Sequence, residues 1–207
     1  MRPVLRGHGV VLEPLTMAHA PGLFAIARPE MFGNFLSWPQ MWTEEAFSEW
    51  LGRQIGNPKS SALAVREDGA MKETAGGGAS HDGNWAGRLV GASSYCDIDL
   101  ANKALEIGWT WYTPPAQGTL VNPACKLLML EHAFEKLKCV RVQLKCDLRN
   151  LRSQAAIAKL GAVREGVLRQ HRIQQNGFVR DTVMYSITAA EWPVVKRGLE
   201  TRLRFGR

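Results

Sequence analysis

The stretch from Leu105 to Leu137 constrains the fold more than any other part of the chain, because it reads as strand, breaker and helix in turn. Leu105-Glu106-Ile107-Gly108-Trp109-Thr110-Trp111-Tyr112 is aromatic and β-branched in character, as a strand is. Thr113-Pro114-Pro115-Ala116-Gln117-Gly118-Thr119 can continue neither helix nor ladder, since adjacent prolines and a glycine break both. A helix then starts. Asn122 is a strong N-cap type, and Pro123 fits the first helical position, where its missing N–H costs nothing. Leu127, Leu130, Phe134 and Leu137, with Ala124 and Leu128 beside them, fall on one face; Lys126, Glu131, Glu135 and Lys138 lie mostly on the other.

A glycine-bearing loop that feeds a helix aims free backbone N–H groups and the positive end of the helix dipole at one point. Such a point suits an anion, most often phosphate, and Lys126 one turn in can add a charge-assisted contact. The same residues also fit an ordinary helix start with Gly118 as a turn residue. The net charge of +7 points to an anionic partner: nucleic acid, an acidic protein surface or a phosphate-rich cofactor. Arg and Lys are dispersed with no basic–aromatic recognition motif, which argues against nucleic acid.

The remaining elements follow in order. Val10 to Leu15 reads as a strand, and Thr16 caps a helix to about Ala27. Met31 to Met41 is irregular and aromatic, with Phe32, Phe35, Trp38 and, just beyond, Trp42; these rings can floor a binding cleft or simply fill a core. Thr43-Glu44-Glu45 opens a second helix through Ile55, and Ala62 to Val65 is a short strand. Residues 67 to 87 are rich in Gly, Ser, Asp and Asn and predict a long flexible loop, with His81-Asp82 inside it, between the two strands of a hairpin. Arg88 to Tyr95 is the second of those strands.

Val140 to Cys146 alternates as a half-buried strand does, and Asp147 to Asn150 turns into a helix, Leu151 to Leu160, closed by Gly161. Gln175-Asn176-Gly177 joins a C-terminal hairpin. A last helix from Glu191 ends in a basic tail. The 207 residues predict one domain, with a 45% hydrophobic and 22% charged composition typical of soluble globular proteins. No apolar run approaches membrane-spanning length and the N-terminus has no signal core, so a cytoplasmic location is expected. Cys96, Cys125, Cys139 and Cys146 form no CxxC pair and have no histidine at ligand spacing, so no metal is expected.

Laid out in this order, the chain resembles the GNAT superfamily of acyl-CoA-dependent N-acetyltransferases, and within it the RimL-like (RimJ/RimL) branch. The motifs that carry the resemblance are Asn150-Leu151-Arg152-Ser153 followed by Lys159-Leu160-Gly161, Glu106-Ile107-Gly108-Trp109, and Glu165 to Arg169 with Asn176-Gly177 and Asp181…Tyr185-Ser186. The resemblance implies an α+β GNAT fold: a mixed, mostly antiparallel central sheet of about seven strands with helices on both faces. It also implies acetyl-CoA as co-substrate and a primary amine as acceptor (a protein N-terminus, an amino sugar or a small amine), and it makes a homodimer unsurprising. The chain departs from the branch at Gln117-Gly118-Thr119-Leu120-Val121-Asn122, where Leu120 and Asn122 stand at positions usually held by small residues. That departure motivates the alternative of a GNAT-fold module that binds CoA without catalysis.

Roles follow from the resemblance. Thioester aminolysis needs a neutral amine, a stabilised oxyanion and a proton for the leaving thiolate. Glu106 is the first candidate base, or else a strand-edge carboxylate holding an arginine; Asp181 is the second. Backbone N–H groups around Trp109, Thr110 and Trp111 would meet the oxyanion. Ser153 matches the position that protonates the thiolate, with Tyr185 as substitute, and Asn150 the one that holds the pantetheine arm, although Asn150 also suits a helix cap. Gln117, Gly118, Thr119, Asn122 and Lys126 would hold the diphosphate. The acceptor site is expected between the Met31–Trp50 region, with Phe35, Trp38 and Trp42, and the turn from Gln174 to Phe178.

Overall fold

The computed structural model describes residues 2–68 and 87–206. Most of the expected glycine-rich loop, with His81 and Asp82, lies outside the described residues. The strands are β1 (Leu5–Gly7), β2 (Val10–Pro14), β3 (Ser61–Glu67), β4 (Arg88–Asp99), β5 (Ala104–Tyr112), β6 (Arg141–Asp147), β7 (Val163–Ile173) and β8 (Val179–Thr188). The helices are α1 (Ala20–Ile26), α2 (Glu44–Ile55), α3 (Val121–Glu131), α4 (Leu151–Ala158) and α5 (Trp192–Phe205). All eight strands join one sheet in the order β1-β2-β3-β4-β5-β6-β8-β7. Every pairing is antiparallel except β5 with β6.

The sheet has eight strands where about seven were expected. The extra one is β1, three residues long, turned back on β2 through His8 and Gly9 with φ of 51° and 74°. Two successive residues with positive φ match the twist of a two-residue hairpin. Three residues are too few for alternation to register as a pattern.

Alternation along the strands divides the core in two. Leu63 and Val65 of β3 and Val90 of β4 join Leu127, Met129 and Leu130 of α3 and Leu199 of α5 in one cluster. Ala64, between Leu63 and Val65, and Ala92, two residues past Val90 but across the β3–β4 register shift, face the opposite way and join Leu23, Phe32, Phe47, Trp50, Leu51 and Trp111. Helices therefore cover both faces. The aromatics around Phe32 form a mesh of tilted and edge contacts: Phe32–Trp50 at 5.1 Å, Phe32–Trp111 at 5.3 Å and Phe32–Trp42 at 5.9 Å. For Phe32 and Trp42 this is core packing, one of the two alternatives the sequence left open.

Two features of the sheet make a cavity. Strands β5 and β6 pair only at Ala104–Arg141, Leu105–Val142 and Glu106–Gln143; beyond that register β5 runs on to Tyr112 and β6 to Asp147 without pairing. Between Ala92 and Ser94 of β4, strand β5 also carries an extra residue, so that Trp109 and Thr110 together oppose Ser93, and Trp109 has φ 48°. Such a bulge bends its strand and increases its twist. The seam opens at that bend.

Candidate active site

A cavity of about 670 Å³ occupies the open seam. From β5 it is lined by Glu106, Trp109, Thr110 and Trp111, and from the loop after β5 and the start of α3 by Gln117, Gly118, Asn122 and Lys126. Asn150 and Ser153 of the α4 start and Phe35 from the loop before α2 complete this set of expected residues. Thr119, Asp181, Trp38 and Trp42 lie outside the lining.

The α3 end of the cavity is built from the breaker segment. Gly118 adopts φ 76°, a left-handed conformation that side chains rarely take. The helix begins at Val121, so Asn122 and Pro123 sit inside its first turn and Asn122 is not its cap. Thr119 explains the earlier start: its hydroxyl accepts from Val121 N at 3.2 Å and donates to Ala116 O at 2.8 Å, which ties the helix start to the loop. Gln117 is fixed by Nε2 donating to Tyr112 O at 2.8 Å, while its Oε1 accepts from Arg152 of α4.

Lys126 takes a different position from the one expected beside a diphosphate. It is 5% exposed, and its ammonium donates to Thr110 Oγ1 at 2.8 Å and Ser93 Oγ at 3.2 Å. The charge therefore sits behind the β5 bulge. No carboxylate lies within ion-pair distance of it among the described residues. Burial pulls its pKa down to about 8.

Glu106 lies in the middle of the seam and is 4% exposed. The carboxylate folds over Gly108, two residues on and so on the same face of the strand; a Cβ on Gly108 would stand 2.5 Å from Glu106 Oε1. A side chain at position 108 would therefore have to displace the carboxylate. Lys145 of β6 approaches Glu106 Oε2 at 2.5 Å and Asp97 Oδ2 at 3.0 Å, a bridge across the strands just where they part. The partner of Glu106 is thus a lysine and not an arginine. Burial raises the Glu106 pKa above the ordinary carboxylate range, with Lys145 opposing. Burial opposes the charge of Lys145 too, but the two carboxylates outweigh it and its pKa is raised. Asp97 shifts downward, because Lys145 overcomes the effect of its partial burial.

Asn150 caps α4: its Oδ1 accepts from Ser153 N at 3.0 Å. The Ser153 hydroxyl takes no part in that cap; it lies near the Cys146 thiol, where it partly offsets the rise that burial gives that thiol's pKa. Asp181 stands on the other side of β8, where its Oδ1 accepts from Gln170 N at 2.6 Å in the β7–β8 ladder.

The far end of the cavity is roofed by two loops that meet. Gln174 Nε2 donates to Phe35 O at 2.9 Å, Gln175 N donates to Leu36 O at 2.9 Å, and Trp38 N donates to Gln175 Oε1 at 3.2 Å. Trp50 and Trp109, 4.9 Å apart, make an aromatic wall beneath them. Asp97, Lys145, Arg172 and Arg180 line this half and were not singled out in the sequence. Alternation marks Lys145 as pointing away from the Leu144 face, but nothing in the sequence says which carboxylates it meets.

Residues 10–163 match the model of the acetyltransferase (GNAT) domain. The chain belongs to the GNAT family. A protein of Bacillus subtilis (strain 168) named "Putative ribosomal N-acetyltransferase YdaF" is 33% identical over 107 residues, 51% of this chain and 57% of that protein, so the match spans just over half of the relative's length. The crystal structure of a "putative acetyltransferase" from T. thermophilus is 37% identical, with 98% of each chain covered and a TM-score of 0.84. RimJ of Mycobacterium smegmatis, solved in complex with CoA-disulfide, shares the fold at 20% identity, with 100% of this chain and 94% of that chain covered and a TM-score of 0.71.

Proposed function

We propose that this GNAT chain is an N-acyltransferase of the RimJ/RimL kind, moving an acetyl group from acetyl-CoA to a primary amine by direct attack in a ternary complex. One observation carries the reading. The seam between β5 and β6 runs from the amide-rich start of α3 to a desolvated carboxylate, Glu106, and holds an unpaired strand edge in between.

Each part has a job. The N–H groups at the start of α3, with Gly118 and Gln117, face the diphosphate, and Arg152 stands next to them. The edge of β5 that β6 leaves unpaired offers backbone donors and acceptors to the pantetheine amides, as a strand edge does to an added strand. The bulge at Trp109–Thr110 brings backbone N–H groups to the thioester carbonyl, and the Lys126 ammonium behind Thr110 favours negative charge there. Glu106 takes the proton of the attacking amine; its raised pKa brings it nearer to neutrality, which suits a base that must also release the proton. Ser153 supplies a proton to the thiolate.

The test is release of CoA thiol from acetyl-CoA in the presence of an amine panel, with thermal protection by CoA measured alongside. Amine-dependent release together with CoA protection is expected. Protection without release from any amine favours a CoA-binding module with no turnover, the reading that Leu120 and Asn122 in the phosphate loop motivate. No protection removes the proposal altogether.

Ser153→Ala separates chemistry from capping. The cap uses the backbone N–H of residue 153, which alanine retains, so α4 should keep its stability. Turnover is expected to fall about tenfold, a small effect for a general acid because a thiolate is a good leaving group. Affinity for acetyl-CoA should change less than about twofold. Equal losses in both would assign the hydroxyl to binding.

A further inference from the structure

The acceptor half of the cavity contains a cation with no direct ion-pair partner among the described residues. Arg180 is 6% exposed and lines the cavity. Its Nε donates to Thr182 Oγ1 at 3.2 Å and its Nη1 to Asn34 O at 3.4 Å, both neutral acceptors. The nearby carboxylates are engaged elsewhere. Asp147 pairs with Arg149 at 2.7 Å, and Glu106 and Asp97 share Lys145. Arg172, opposite Arg180 in the β7–β8 register, lines the same cavity and also has no ion pair among the described residues.

In this half of the lining Arg53, Lys145, Arg172 and Arg180 stand against Glu30, Asp97, Glu106 and Asp147, so the formal charges balance, but Asp147 is also paired with Arg149 from outside the lining. Arg180 is thereby left without a carboxylate at ion-pair distance among the described residues. This guanidinium hydrogen-bonds only a carbonyl and a hydroxyl, while the nearby Asp147 and Glu106 are paired with other cations, so it keeps spare N–H donors that an arriving anion would complete.

We infer that the acceptor is an amine carrying an oxyanion, a carboxylate or a phosphoryl group, a few bonds from its nitrogen, and that Arg180 with Arg172 binds that oxyanion. The inference rests on the acyl-transfer reading for the identity of the amine, and on Arg180 alone for the anion. A guanidinium presents paired N–H donors to carboxylate or phosphate oxygens, so the anion is gripped in a fixed direction. Anchoring there would hold the amine on the Glu106 side of the seam, beneath the loops joined at Gln174–Phe35. The neutral analogue would leave the guanidinium buried and unpaired, which is how a polar site discriminates strongly.

Matched acceptors test this: phenylalanine against phenylalaninamide reports a carboxylate, and O-phosphoethanolamine against ethanolamine a phosphoryl group. Each is measured twice, as kcat/KM for acetyl transfer and as binding to the full chain followed by tryptophan fluorescence, since Trp50 and Trp109 wall the site. The anionic member of at least one pair should be preferred about 100-fold. Arg180→Gln should reduce that preference to less than about tenfold, with most of the loss falling on the anionic member. Arg172→Gln, at an exposed position where folding is not at stake, should lower it by a smaller factor. Equal binding within both pairs, or a preference that survives both substitutions, overturns the inference. Anionic preference in binding with no transfer from any amine supports it and removes the acyl-transfer reading alone.

Discussion

Replacing Glu106 by Gln is expected to lower kcat for acetyl transfer by about 100-fold to 10,000-fold, the range a positioned general base contributes. Glutamine keeps the shape over Gly108 and can still accept from Lys145, so acetyl-CoA affinity should stay within about threefold of wild type. The pH profile makes the result specific. A carboxylate acts as a base only when ionised, and burial raises the Glu106 pKa. Wild-type turnover should therefore rise with pH through a pKa above the ordinary carboxylate range, and the variant should lose that limb. An unchanged rate would pass the proton to solvent. It would not pass it to Asp181, whose carboxylate is held in the β7–β8 ladder by Gln170 N.

Lys126→Met should make the protein more stable at neutral pH and less active. The ammonium is held at a pKa of about 8 against an ordinary 10.5, a gap worth about 3 kcal/mol of desolvation. The sign follows from proton linkage. Below about pH 8 the lysine is charged in both folded and unfolded chains, and the full penalty applies. Between about pH 8 and 10.5 the folded chain has released a proton that the unfolded chain still holds, so wild-type stability rises with pH and the advantage of methionine shrinks. The hydroxyls left behind keep a partner, because Ser93 Oγ and Thr110 Oγ1 lie 2.8 Å apart and bond each other. Denaturant unfolding of both proteins at about pH 7 and pH 10 reads the difference; a less stable variant at neutral pH would make the lysine a structural anchor. Turnover is expected to fall about tenfold with CoA affinity little changed, as a charge near the thioester carbonyl requires. A loss confined to CoA affinity would return Lys126 to the diphosphate.

Much of the site was legible because its motifs are local. Asn150 and Ser153 are three residues apart, and a helix start brings them together wherever the helix goes. Glu106 and Gly108 are two apart on a strand, so their closeness follows from strand geometry. The capping reading of Asn122 failed, and the direction of Lys126 was not legible, for the same reason. The helix start was set by Thr119, whose hydroxyl competes for Val121 N, and the direction of Lys126 was set by Ser93 and Thr110, 33 and 16 residues away. Phe35, Trp38 and Trp42 were indistinguishable in sequence, yet of the three only Phe35 reaches the cavity.

By itself the sequence determined the helices, the strands other than β1 and their order, since periodicity, breakers and caps act over a few residues and survive without knowledge of neighbours; the family followed from the resemblance its motifs carry. What the tertiary structure alone decided is where charge goes. Lys145 bridges Glu106 and Asp97, Lys126 is buried behind the bulge, and Arg180 faces the cavity with no ion pair among the described residues. Coulomb and desolvation energies depend on distance through space and on burial. Neither is fixed until β5 and β6 have parted and the loops at Phe35 and Gln174 have closed over the gap.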